Sequence, residues 1–146
     1  MTTIHRSALV ALPPARLYAL VNDVAAYPRR FDWCSDSAVI EHSAQRMLAR
    51  LDVRVAGMAV SFTTRNTLTP VARIELELAD GPFQKFGGAW TFDAVGEAGC
   101  RVGLRLHFEL AGKLLGSALA LGFTGFADRL VDDFCRVARK EAADGG

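Results

Sequence analysis

The sequence is poor in residues that build disulfide frameworks or metal sites. Its three cysteines, Cys34, Cys100 and Cys135, are odd in number, widely separated and without CxxC spacing, which argues against both a disulfide framework and a zinc site. The three histidines show neither HxxxH nor HExxH spacing. We therefore expect no metal and a location in the reducing cytoplasm.

Motifs that mark common enzyme sites are also missing. The sequence contains neither GxSxG nor the phosphate-binding pattern GxxxxGK[ST]. Its glycine cluster at residues 96–99 lies between two predicted strands, so it offers no helix N-terminus to a phosphate. His107, Glu75 and Glu77 fall on the outward faces of predicted strands. The sequence therefore predicts binding without catalysis, and no cofactor is required for it.

Long apolar runs and an excess of one charge are absent too. The most apolar run, residues 114–126, is shorter than the roughly 20 residues that a membrane-spanning helix needs. Residues 1–6 lack the features of a secretory signal, so we expect no export. Lys and Arg total 17 against 16 Asp and Glu, so DNA is not an expected partner. The length of 146 residues predicts one domain spanning residues 1–146.

Apolar and polar residues alternate along the middle of the chain. This alternation predicts strands at residues 4–12, 39–42, 47–55, 58–68, 71–79, 86–95 and 100–110. Short turns such as Ala56-Gly57 and Thr69-Pro70 join them and leave no room for parallel crossovers. We expect an antiparallel meander over residues 37–110, preceded by a strand and short helices over residues 3–31.

The C-terminal segment has helical periodicity instead. One face carries apolar residues that step by three or four, namely Leu115, Leu119, Phe123, Phe126, Leu130, Phe134 and Val137. The opposite face is charged. We predict a helix over residues 114–142, roughly 40 Å long at about 1.5 Å per residue. The predicted fold class is α+β, with a curved antiparallel sheet of six to seven strands around this helix.

The gap between helix and sheet is the predicted site. Thr64 and Asn66 share the inward face of one strand, where either would meet a ligand oxygen or form a structural hydrogen bond. We expect the gap beneath Gly122 and Gly125. Aromatic residues of a strand and of the helix either pack as ordinary core or border this gap: Phe86, Trp90, Phe92, Phe123, Phe126 and Phe134.

Several motifs, spread over nearly the whole chain, resemble those of a known family. They are Leu17-Tyr18-x-Leu20-Val21-x-Asp23-Val24-x-x-Tyr27-Pro28, Trp33-Cys34, Arg65-Asn66, Gly81-Pro82-Phe83, Gly88-x-Trp90-x-Phe92 and Val131-x-x-Phe134. The sequence resembles the START-like, helix-grip proteins grouped with polyketide cyclases. Within them it is similar to the branch of coenzyme Q-binding respiratory proteins and of the bacterial ribosome association toxin.

The resemblance implies a pocket for ubiquinone or another isoprenoid lipid, held without turnover in support of respiration. Such a role would allow transient contact with the inner membrane. The candidate ligand-binding residues are Trp33, Val60, Phe62, Asn66, Phe86, Trp90, Phe92, Leu119, Phe123 and Phe126. The alternatives are a regulator that binds the large ribosomal subunit and blocks subunit association, and a polyketide cyclase in which Asn66 guides the substrate.

Two further features bear on these hypotheses. The family loop after Tyr-Pro tends to be aromatic and proline-containing, whereas Arg30 and Asp32 stand here, which predicts a more polar or mobile loop and leaves open whether it gates the pocket. Arginines also collect on the outward faces of the strands, where cross-strand ion pairs explain them. The same arginines would meet a phosphate backbone if the ribosome were the partner.

Overall fold

Seven strands form one antiparallel sheet in the computed structural model, which describes residues 1–112 and 117–145. The strands are β1 (Thr2–Val10), β2 (Cys34–His42), β3 (Arg46–Val55), β4 (Met58–Thr69), β5 (Arg73–Asp80), β6 (Phe83–Val95) and β7 (Gly99–Leu110). Their order is β1-β7-β6-β5-β4-β3-β2. The predicted meander is confirmed from β2 to β7, and β1 closes the other edge by pairing with β7.

Side-chain alternation explains why one face of the sheet is buried. In β7, Cys100, Val102 and Leu104 are at most 1% exposed, whereas Arg101 and Arg105 are exposed. The turn between β3 and β4 takes positive φ at both central residues, 52° at Ala56 and 76° at Gly57. Such a turn matches the twist of the strands it joins, so this hairpin is tight.

Short helices fill the connection between β1 and β2. Helix α1 (Pro14–Asn22) begins with a proline, whose missing N–H costs nothing in the first turn. A 3-10 turn at Val24–Ala26 follows, and then helix α2 (Tyr27–Arg30). Pro28 stands in the first turn of α2, where proline is tolerated.

Helix α3 (Ala118–Gly145) lies against the concave face of the sheet and is about 42 Å long. It ends three residues later than predicted, because Ala142 and Ala143 are strong helix formers and no breaker precedes Gly145. The predicted start at residue 114, and with it Leu115, lies outside the described residues. The described apolar ladder faces the sheet, with Phe123 and Phe134 each 1% exposed. The predicted fold class is confirmed.

Candidate ligand cavity

A cavity of about 80 Å³ lies between α3, the α1–α2 segment and the sheet. Seven of the ten predicted site residues line it: Trp33, Phe62, Asn66, Phe86, Trp90, Phe123 and Phe126. Val60, Phe92 and Leu119 are buried but do not line it. Phe92 packs edge-on against Tyr18, with ring centroids 5.7 Å apart. Val60 lies near the β3–β4 turn and Leu119 in the first turn of α3.

Sequence reasoning missed the part of the lining that comes from the α1–α2 segment. Val21, Asn22, Val24 and Tyr27 all border the cavity. The helical spacing of the apolar residues in α1 and the Tyr27-Pro28 motif were signals for a buried face. Neither signal indicated that this face lies across a cavity from α3, because the position of the face depends on how α1 packs against the rest of the fold.

Aromatic rings occupy most of the space that the sequence suggested would be open. Phe123 lies 4.8 Å from Phe108 and 5.1 Å from Phe83, measured between ring centroids. The remaining cavity is smaller than the roughly 150 Å³ that accepts benzene in an engineered core. A ligand with an isoprenoid tail therefore requires these rings to change position.

The gap expected beneath Gly122 is filled as well. A Cβ atom at Gly122 would lie 2.6 Å from the Cβ of Ala56, so α3 packs directly on the β3–β4 turn there. A Cβ atom at Gly125 would meet only the Arg129 side chain, 3.5 Å away. The prediction of a gap at Gly122 was wrong because that glycine allows close approach of helix and sheet.

Two amide oxygens in the cavity wall have no hydrogen-bond partner within the described ranges. They are the Oδ1 atoms of Asn66 and Asn22, and both are buried. Asn66 is only 8% exposed, and Thr64 beside it is buried to the same degree. A buried polar atom without a partner costs about 1–3 kcal/mol, so each oxygen is a ready acceptor for a donor that enters the cavity.

The cavity lacks the groups that acid–base catalysis needs. Within the described lining there is no carboxylate, imidazole, thiol or amine. The Tyr27 hydroxyl donates a hydrogen bond to the carbonyl oxygen of Val21, and burial raises the pKa of this phenol, so it serves packing. No group of three His, Cys, Asp or Glu side chains that could hold a metal occurs among residues 1–112 and 117–145.

Charged residues hold the α2 segment, whose Tyr27 borders the cavity, against α3. Arg30 donates to both carboxylate oxygens of Glu141 on α3, at 2.6 and 3.0 Å, and to Asp23 at 2.7 Å. The indole Nε1 of Trp33 donates to Asp133 at 3.2 Å. Arg30, where the sequence departs from the family pattern, thus ties the segment to α3.

The cysteines lie apart from the cavity lining. All three are free and buried. Burial raises the pKa of the Cys34 thiol to about 11, and it raises those of Cys100 and Cys135 as well. None of them has the depressed pKa of a reactive thiol.

No helix in the described part of the chain is long and apolar enough to cross a membrane.

Comparison with known proteins agrees with the resemblance seen in the motifs. The family described as "Polyketide cyclase / dehydrase and lipid transport" matches residues 10–135. The ribosome association toxin RatA of Pseudomonas aeruginosa is 45% identical over 139 residues, covering 95% of this chain and 96% of the relative. The mitochondrial coenzyme Q-binding protein coq10 of Schizosaccharomyces pombe is 26% identical over 138 residues, covering 91% and 84% respectively.

A solved structure shows the same fold. The Zhui aromatase/cyclase from Streptomyces sp. R1128 superposes with a TM-score of 0.80, covering 99% of this chain and 98% of the other, at 19% sequence identity. At that identity the likeness establishes the helix-grip fold alone.

Proposed function

The chain belongs to the polyketide cyclase / dehydrase and lipid transport family, and from that premise we propose that it is a non-enzymatic regulator that binds the large ribosomal subunit and hinders subunit association. The observation that carries the proposal is the 45% identity to a ribosome association toxin across 95% of the chain. The cavity supports the non-enzymatic part, because its described lining offers no acid or base to a cyclisation.

Sucrose-gradient profiles after raised expression test this function. We expect the ratio of joined ribosomes to free subunits to fall. A Phe123→Asp variant at equal expression is the matched control, since a carboxylate at this 1% exposed position disrupts the core. An unchanged ratio with the wild-type chain would remove the proposal.

A second candidate function is the binding of an apolar ligand, ubiquinone or a related lipid, in the cavity. It is favoured by the apolar, aromatic lining and by the similarity to a coenzyme Q-binding protein. The cavity volume of about 80 Å³ sets a condition: the rings around Phe123 and Phe126 must move to admit such a molecule.

Tryptophan fluorescence is a direct probe of this binding. The chain has two tryptophans, and both Trp33 and Trp90 line the cavity. We expect a short-chain ubiquinone to quench their emission and to raise Tm, and organic extraction of the purified protein to release a lipid. A Phe126→Trp variant, which narrows the cavity, should bind more weakly. If no lipid is extracted and added quinone changes neither signal, the cavity is not a quinone site.

A further inference from the structure

The outer face of the sheet, opposite α3, carries a second concavity, of about 710 Å³. Strands β4 and β5 form one wall with Arg65 and Arg73, and strands β1 and β7 form the other with His5, Arg105 and His107. We call these five residues and the space between them the outer groove. It lies on the other side of the sheet from the ligand cavity, and Leu76, Phe86 and Leu104 border both spaces.

Two glycines in the floor of the outer groove are covered by side chains of the neighbouring strands. A Cβ atom at Gly87 would lie 2.9 Å from Nε2 of His107, and one at Gly103 would lie 2.6 Å from Oγ1 of Thr91. The neighbouring side chains therefore lie across the two glycines. The His107 and Thr91 side chains therefore form the floor and offer an imidazole and a hydroxyl to a molecule in the groove.

The charges around the outer groove are not all neutralised within the described part of the chain. Arg73 pairs with Glu75 at 3.3 Å, whereas Arg65 and Arg105 form no ion pair there. Glu77 stands opposite Arg65 in the strand register without pairing with it. Three arginines thus face two glutamates. The cross-strand pairs expected from the sequence account for Arg73 but leave two guanidinium groups available to an external anion.

The spacing of these groups suits an extended polyanion. Arg65 on β4 and Arg105 on β7 are separated by three strand spacings, about 14 Å. Arg73 lies between them in the sheet order, and the register aligns it with Thr69 on β4, four residues from Arg65, and with Gly103 on β7, two residues from Arg105. Guanidinium groups remain charged at any physiological pH and bind phosphate oxygens in pairs. Imidazole N–H groups of His5 and His107 add donors at the other wall.

We propose that the outer groove binds the phosphate backbone of ribosomal RNA, which rests on the proposed function as a ribosome-binding regulator. The contact is to backbone and not to base edges. It therefore supplies affinity and orientation on the subunit without reading sequence.

Binding of purified large ribosomal subunits by the full chain, measured by co-sedimentation at several salt concentrations, tests the proposal. The test variant is Arg65→Glu/Arg105→Glu. The control is Arg54→Glu/Arg101→Glu, which reverses two exposed arginines on the same face outside the outer groove. All four positions are at the surface. Each variant places one new carboxylate opposite an existing one in the strand register, Glu77 for position 65 and Asp93 for position 101, so we expect a small and similar fall in Tm in both.

We expect the groove variant to bind large subunits on the order of tenfold more weakly. The slope of the logarithm of the association constant against the logarithm of salt concentration should become shallower by about 1.4, that is, by about 0.7 for each lost phosphate contact. The control should bind within about twofold of wild type. If wild type does not bind large subunits, the proposed function itself fails. If the wild-type chain binds and the groove variant binds as tightly as the control, the proposed function is retained and the assignment of the RNA contact to the outer groove is wrong. A loss of affinity with an unchanged salt slope would indicate a ribosomal protein as the contact and would overturn the RNA assignment.

Discussion

Replacing Asn66 by leucine should make the protein more stable. The Oδ1 atom of Asn66 is buried without a hydrogen-bond partner in the described structure, and the residue is 8% exposed. Such an atom costs about 1–3 kcal/mol, and a leucine of similar size removes that cost while adding apolar contact in an aromatic cavity. For a domain near 150 residues, a gain of about 2 kcal/mol corresponds to a rise in Tm of about 4–8 °C.

Urea unfolding and calorimetry of the ligand-free protein measure this effect. Thr64→Val is the matched control, because Thr64 lies on the same strand and face at equal exposure, and its hydroxyl is not an unpaired buried atom. We expect no gain from the control. If Asn66→Leu lowers the free energy of unfolding, the amide oxygen has a partner such as an ordered water, and the argument that it awaits a ligand donor is refuted.

Three further predictions concern the packing around the cavity. Gly122→Ala should destabilise the protein by about 1–3 kcal/mol, because the added Cβ clashes with the β3–β4 turn, whereas Gly125→Ala should stabilise it by about 0.5–1 kcal/mol through helix propensity. Equal effects of the two substitutions in urea unfolding would contradict the close approach of α3 to the turn at Gly122. The Cys34 thiol, with its pKa raised to about 11 by burial, should react slowly with a disulfide reagent at pH 8 and quickly after unfolding; rapid labelling of the native protein at Cys34 would oppose this. Arg30→Gln should lower the free energy of unfolding by about 1 kcal/mol and increase amide hydrogen exchange in α2, because it breaks the two hydrogen bonds to Glu141 on α3. Unchanged exchange would show that this contact does not hold the α2 segment.

The sheet could be predicted from the sequence because its residues alternate with a period of two. This parity placed Asn66 inward and Arg105 outward, and the structure agrees. Strand β2 was placed too late, at residue 39 instead of Cys34, because it lies at the sheet edge with two register shifts and its burial does not alternate. Edge strands with bulges lack the pattern on which such predictions rest.

The cavity was predictable in position but not in size. Inward aromatic residues on β6 and α3 marked the space between helix and sheet. Its volume depends on how rings such as Phe123 and Phe83 interlock, and on the close contact at Gly122, neither of which periodicity reveals. The outer groove depends likewise on which residues face each other across strands, such as His107 opposite Gly87 and Thr91 opposite Gly103, and this follows from the register.

Reassociation of purified ribosomal subunits, followed by light scattering, tests the central claim most directly. With the protein in modest excess over large subunits, we expect a smaller amplitude of subunit joining, and recovery of the amplitude with the Arg65→Glu/Arg105→Glu variant. An amplitude equal to that without protein, at concentrations where the chain is folded, would contradict a role in ribosome association.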